Sequence, residues 1–154
     1  MALQDAWFND TFVKALNGDI ALGLGITSPG RFWGALFTDQ AEPDFSQINP
    51  AYGTAPLEFG ESSGAGYTAG GAALTVVSWG QLSEPNKVGW RFATVSWEES
   101  TISASGLLVY IPSMSNKAVI CRAFGGTYAT EDGTFEISWG ADGGTWRIPL
   151  RAAA

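Results

Sequence analysis

Four glycines fall within eight residues in the run Gly64-Ala65-Gly66-Tyr67-Thr68-Ala69-Gly70-Gly71-Ala72-Ala73-Leu74-Thr75. Glycine reaches backbone angles that residues with a Cβ reach only at a cost. Such a run therefore specifies a backbone path by sterics, and here it leads straight into an apolar strand. We read Gly64, Gly66, Gly70 and Gly71 as a structural elbow, with Tyr67 placed to plug the loop onto a sheet. A phosphate cradle would need the order strand, glycine loop, helix, with a lysine in the P-loop version. After this loop comes a strand, and the next lysine is Lys87. Nucleotide binding is rejected on that ground.

The elbow divides the chain. Before it, residues 5–17 carry Phe8, Phe12, Ala15 and Leu16 on one face at helical spacing, extended by Trp7. Asp5 is placed to cap this helix, and Asn17-Gly18 to stop it. The helix either closes one end of a β core or docks on a partner, and the first is the simpler reading. Residues 20–26 alternate apolar and small side chains and admit a strand, followed by a Ser28-Pro29-Gly30 turn. Arg31 to Thr38 is apolar on both faces, which predicts a centrally placed strand. Residues 39–63 hold three prolines and little periodicity. A compact domain seldom carries so long a loop without a use for it. It reads as a loop with a short strand near residues 56–59, or as an arm laid over a neighbouring subunit.

Beyond the elbow the period is two. Strands are predicted at 72–79, 88–97, 102–111, 118–124 (ended by Gly125-Gly126), 134–139 and 146–150. Turns fall at 81–87, 98–100, 113–116 and, as a hairpin signal, Asp142-Gly143-Gly144. The pattern predicts one all-β domain spanning residues 1–154. The expected architecture is an antiparallel, jelly-roll-like β-sandwich with one short N-terminal helix.

Composition narrows the chemistry. The net charge is −7, and the eight basic residues form no cluster. Capture of a nucleic-acid backbone needs a basic face, so no nucleic-acid partner is expected, and no anionic membrane. The chain has no histidine, which removes histidine triads and the usual zinc sites. Its one cysteine, Cys121, lies in an apolar run and reads as a small buried hydrophobe. Glu98-Glu99 and Glu131-Asp132 are adjacent acids at turns, and read as solvated charges. Asp39, Glu42 and Asp44 lack the spacing of a calcium loop. No catalytic, metal-ligating or cofactor-binding residue is nominated, and no enzyme activity is expected. Charged residues make up only 15% of the chain, against roughly 25% in ordinary domains. Low charge with many aromatics points to an exterior partly covered by a partner. The N-terminal helix face and the 39–63 loop are the candidate interface, represented by Trp7, Phe8, Phe12, Phe45 and Tyr52. Trp79, Trp90, Trp97 and Trp139 lie on strands, where core packing is the ordinary role and a sugar platform the alternative. The N-terminus carries no basic and apolar leader pattern, and synthesis in a cytoplasm is expected.

Read together, three stretches resemble small virion proteins of tailed bacteriophages. The glycine run 64–75 is similar to their glycine elbow. Val95-Ser96-Trp97 is similar to their paired strands around a tryptophan turn. Residues 133–143, from Gly-Thr-Phe-Glu-Ile-Ser-Trp onward, are similar to their closing strand pair. The likeness runs from about residue 5 to residue 150 and includes the opening helix, strand and long loop. It implies a structural role without enzyme activity or cofactor, as a capsid decoration or minor capsid protein in the phage head. The implied partners are the major capsid protein and further copies of the chain, as a homotrimer. A tail or fibre component and a carbohydrate-binding module at the host surface are the alternatives.

Overall fold

The computed structural model describes residues 2–23, 30–140 and 146–149. Of the predicted 20–26 strand, residues 20–23 form no strand; residues 24–26, the Ser28-Pro29 turn and the Asp142-Gly143-Gly144 hairpin signal lie outside the described residues.

Among the described residues the chain is mostly β with one short helix, and its antiparallel sheets pack against each other. A five-stranded sheet has the order β1-β8-β7-β2-β3: β1 is Ala6–Trp7, β2 Phe32–Phe37, β3 Ala72–Leu74, β7 Ser103–Ile111 and β8 Lys117–Ala129. A three-stranded sheet is ordered β10-β5-β4, with β4 Val76–Gln81, β5 Lys87–Phe92 and β10 Trp146–Pro149. A two-stranded sheet pairs β6, Val95–Ser100, with β9, Gly133–Ile137. Helix α1 is Asn9–Asn17, and a short 3-10 turn, Pro112–Met114, links β7 to β8.

The central strands explain their own sequences. β2 sits between β7 and β3, as its two apolar faces predict. Phe32 and Leu36 point to one core with Leu74, Trp90, Phe92, Leu107 and Val109. Ala35 and Phe37 point to a second core with Phe8, Phe45, Leu57, Leu108 and Tyr110. A strand covered on both faces reads as a continuous apolar run rather than an alternation. The second core exists because residues 39–63 fold back over the sheet of their own chain, burying Ala41, Phe45 and Leu57. No strand forms at residues 56–59.

Four boundaries differ from the sequence reading. The predicted 72–79 strand divides at Thr75, and the 88–97 strand divides at Ala93–Thr94. The two breaks meet, since the Ala93 N–H donates to the Thr75 carbonyl at 2.8 Å. Here the chain passes from one sheet to another: the buried alternation runs on from Leu74 to Val76 at the first break and slips by one residue, from Phe92 to Val95, at the second. At β8, Gly125-Gly126 does not end the strand. Between the pairs Gly106↔Ala123 and Ala104↔Tyr128 the longer strand bulges, and Gly125 takes up the distortion at φ 78°. Glu98-Glu99-Ser100 is the irregular end of β6 rather than a free turn.

β6–β7 and β8–β9 form two arms of one bent ribbon. The pairs Ala104↔Tyr128 and Ser103↔Ala129 are continued by Ser100↔Gly133, Trp97↔Phe135 and Val95↔Ile137. The Thr130 N–H donates to Ile102 O across the bend at 2.9 Å. Consequently β9 pairs with β6, and β10 with β5, so these last two strands do not pair with each other. The period-two reading of β9 holds: Phe135 is buried, Ile137 and Trp139 pack on the core, and Thr134, Glu136 and Ser138 are exposed.

Candidate functional site

The helix begins later than its apolar spacing predicts. Ala6 and Trp7 are taken as strand β1, paired with Cys121 and Ile120. Asp5 therefore caps nothing; its Oδ1 accepts the Ala123 N–H at 2.8 Å and lies 3.2 Å from Arg122 Nε. Phe8 occupies the N-cap without a side-chain cap, and its N–H donates to Val119 O at 3.1 Å. One turn on, the buried Thr11 hydroxyl donates to Ala118 O at 2.6 Å. Gly18 closes the helix in the left-handed conformation, as its position after Asn17 predicts.

A polar clamp fixes the helix in place. Lys14 Nζ lies 2.9 Å from Asp10 Oδ2 and 2.5 Å from Asn49 Oδ1, and Lys117 Nζ lies 3.7 Å from Asp10. Partial burial pushes the Asp10 carboxyl upward. The Lys14 and Asn49 hydrogen bonds and the two lysine charges outweigh burial and hold it below its ordinary value.

The five nominated interface residues divide. Phe8 is fully buried and Phe45 nearly so, with ring centroids 5.0 Å apart. Tyr52 is half-buried, stacked on Tyr110 at 4.6 Å. These three serve the inner core and present little to a partner. Trp7 and Phe12 face the other way, in edge contact at 5.1 Å, with Trp7 stacked on the buried Trp90 at 5.7 Å. They line an apolar cleft of about 520 Å³ between α1, residues 20–23 and the three-stranded sheet, with Leu16, Trp79, Val88 and Ile148 on its other walls. Its rim is exposed: Leu16 is 75% and Trp79 42% accessible, and Val13 on the same helix 54%. Of these, Leu16 is the residue that helical spacing placed on the apolar face of the helix, and Trp79 comes from β4. The helix is too short, and the sheet beside it too narrow, to cover them. Of the four strand tryptophans only Trp79 reaches the surface; Trp90 and Trp97 are buried and Trp139 half-buried, donating Nε1–H to Ala93 O at 3.2 Å.

The elbow sits on the five-stranded sheet as a fixed plug. The Tyr67 hydroxyl accepts the Leu36 N–H at 3.0 Å, at the edge of β2 beyond the end of β3, and donates to Glu61 Oε1 at 2.8 Å. Glu61 also accepts the Gly70 N–H at 2.6 Å and, through Oε2, the Tyr52 hydroxyl at 2.8 Å. The Tyr110 hydroxyl donates to Gly70 O at 2.8 Å. Burial first, then the carboxylate of Glu61, push the Tyr67 and Tyr52 phenols far above their ordinary value and that of Tyr110 up to about 12. All three stay protonated and keep donating. Nothing in the sequence marked Glu61, because an acid in a proline- and glycine-bearing loop normally reads as solvated.

Gly64 and Gly66 lie against the β6–β7 junction, with φ of 143° and 77°. A Cβ at Gly64 would meet the Thr101 carbonyl oxygen at 2.1 Å, and one at Gly71 would meet the Gly34 carbonyl oxygen at 1.8 Å.

Glu98, Glu99, Glu131, Asp132, Asp39, Glu42 and Asp44 are exposed. Among the described residues no group of three or more cysteines and acids is disposed to hold a metal ion. Cys121 is 1% accessible, and burial pushes its thiol up to about 12. We expect the native thiol to resist a disulfide reagent at neutral pH and to react fully on unfolding. A native reaction rate matching that in denaturant would contradict this placement. No family model, curated protein or solved structure matched the chain.

Proposed function

We propose that this chain is a structural protein of a bacteriophage virion, a capsid decoration or minor capsid protein that binds the head shell and stabilises it. The observation that supports the reading is the open apolar cleft beneath α1. Exposed Leu16 and Trp79 flank half-buried Trp7 and Phe12, a surface that gains by being covered. The resemblance of residues 64–75 and 133–143 supplies the partner, the major capsid protein. Threefold self-association, many weak apolar contacts multiplied by shell symmetry, and residence in the phage head after synthesis in the bacterial cytoplasm follow from the same resemblance. A net charge of −7 keeps such a chain off packaged DNA. A tail or fibre position is the alternative use of the same cleft.

Imaging of purified particles tests the reading. Tens to hundreds of copies over the head are expected; a few copies at the tail would transfer the proposal there, and absence from particles would end it. In a binding assay with assembled shells, Leu16→Asp is expected to weaken binding roughly tenfold or more while leaving the fold intact, since Leu16 is 75% accessible. Undiminished shell binding by this variant would remove the cleft from the interface.

A further inference from the structure

The bend of the ribbon holds a second cleft, of about 450 Å³. Phe124, Tyr128 and Thr130 form one wall, and Thr134 through Ser138 form the other. Successive side chains of a strand point to opposite faces. A wall that takes in every residue from 134 to 138 therefore runs along the edge of β9. β6 occupies the other edge of β9, and no described strand pairs with the edge that faces the cleft.

An unpaired strand edge is a template for another chain, and proteins usually guard such edges with lysine, proline or a bulge. β9, Gly-Thr-Phe-Glu-Ile, has neither lysine nor proline. Above it stands Tyr128, 56% accessible. Its ring is held edge-on by Phe124 at 6.4 Å, and Phe124 is backed in turn by the buried Phe135 at 6.2 Å. The aromatic wall is thus stiffened by the core while one ring faces outward.

Charge selects the occupant. Glu98, Glu99, Glu131, Asp132 and Glu136 are all exposed on this arm of the ribbon. Residues 93–103 and 123–140 contain no lysine or arginine. A nucleic acid is repelled by this field, and a cationic strand is drawn to it. We propose that the free edge of β9 binds an extended segment of a partner protein that carries lysine or arginine. The segment adds as a strand beside Thr134–Ser138, with main-chain hydrogen bonds for affinity. One cationic side chain lies against the Tyr128 ring and others against Glu136 and Glu131. The proposal does not rest on the head-shell reading, which uses the cleft beneath α1.

The test uses the full chain, isotope-labelled, titrated with a capped hexapeptide of alternating lysine and valine and with its glutamate-for-lysine counterpart. The lysine peptide is expected to move the amide resonances of Thr134–Ser138 saturably, and the glutamate peptide to bind roughly tenfold or more weakly. Glu136→Lys is expected to weaken the lysine peptide by about the same factor, with the rest of the spectrum unchanged because that side chain is exposed. Tyr128→Ala is expected to reduce affinity without reversing the charge preference. The proposal fails if millimolar lysine peptide leaves the β9 amides unmoved, if both peptides bind equally, or if the shifts fall only on the cleft beneath α1.

Discussion

Gly71→Ala is expected to destabilise the domain by about 3–5 kcal/mol, at the severe end of single substitutions. Two costs combine. The backbone at Gly71 has φ of 79°, where a residue with a Cβ is strained, and the added Cβ would stand 1.8 Å from the carbonyl oxygen of Gly34. That oxygen belongs to β2, an interior strand paired on both edges, and cannot give way without moving that strand against β7 and β3. Thermal unfolding followed by circular dichroism should show a drop on the order of 10 °C or more for a chain of this size. Gly53→Ala is the control. Gly53 has φ of 80° but nothing within 4 Å of its Cβ position, so it should cost only the conformational part, about 1–2 kcal/mol. Equal losses at the two sites would mean that backbone conformation, and not contact with β2, governs the elbow.

Glu61→Ala is the second large effect. The substitution leaves two phenol donors and the Gly70 N–H without their acceptor. Stranding a buried donor costs about 1–3 kcal/mol, and with Glu61 half-buried some of that is recovered by water. The expected loss is about 3 kcal/mol in a urea titration. Glu61→Gln separates shape from charge. Its amide oxygen can still accept from Tyr67 and Gly70, and its NH₂ can donate to the rotated Tyr52 hydroxyl. It should therefore cost about 1 kcal/mol. Tyr67→Phe in the Glu61→Ala background should add less than Tyr67→Phe alone, because the two groups share one hydrogen bond. Strict additivity would show that the network is not a unit.

These two variants separate what was legible in the sequence from what was not. The elbow was legible because glycine is a statement about backbone conformation, which is local. Tyr67 was read as a plug, and its contact with the β2 edge has that role. Glu61 was illegible because its significance comes from phenols at positions 52 and 67 and an amide at position 70, brought together only by the fold. The same division runs through the candidate interface. Helical spacing put Phe8, Phe12 and Leu16 on one face, but strand pairing of Ala6–Trp7 with β8 delays and turns the helix. Phe8 then points into the core and Leu16 into solvent. Phe45 was legible as an aromatic in an irregular loop, not as a residue that would cover the loop's own sheet.

The sequence by itself determined the class: period-two apolar alternation, turn residues between strands, a glycine elbow and a single helix stop at Gly18. Those are properties of short stretches, set by sterics and by the pleat of a strand. Only the tertiary structure decided which strands pair, where Thr75 and Ala93–Thr94 pass between sheets, and which apolar residues remain uncovered. An alternating strand specifies an inner face but not the neighbour at its edge. Partner choice is settled by long-range packing, in which β9 joins β6 across the bend and, among the described residues, has no strand on its other edge.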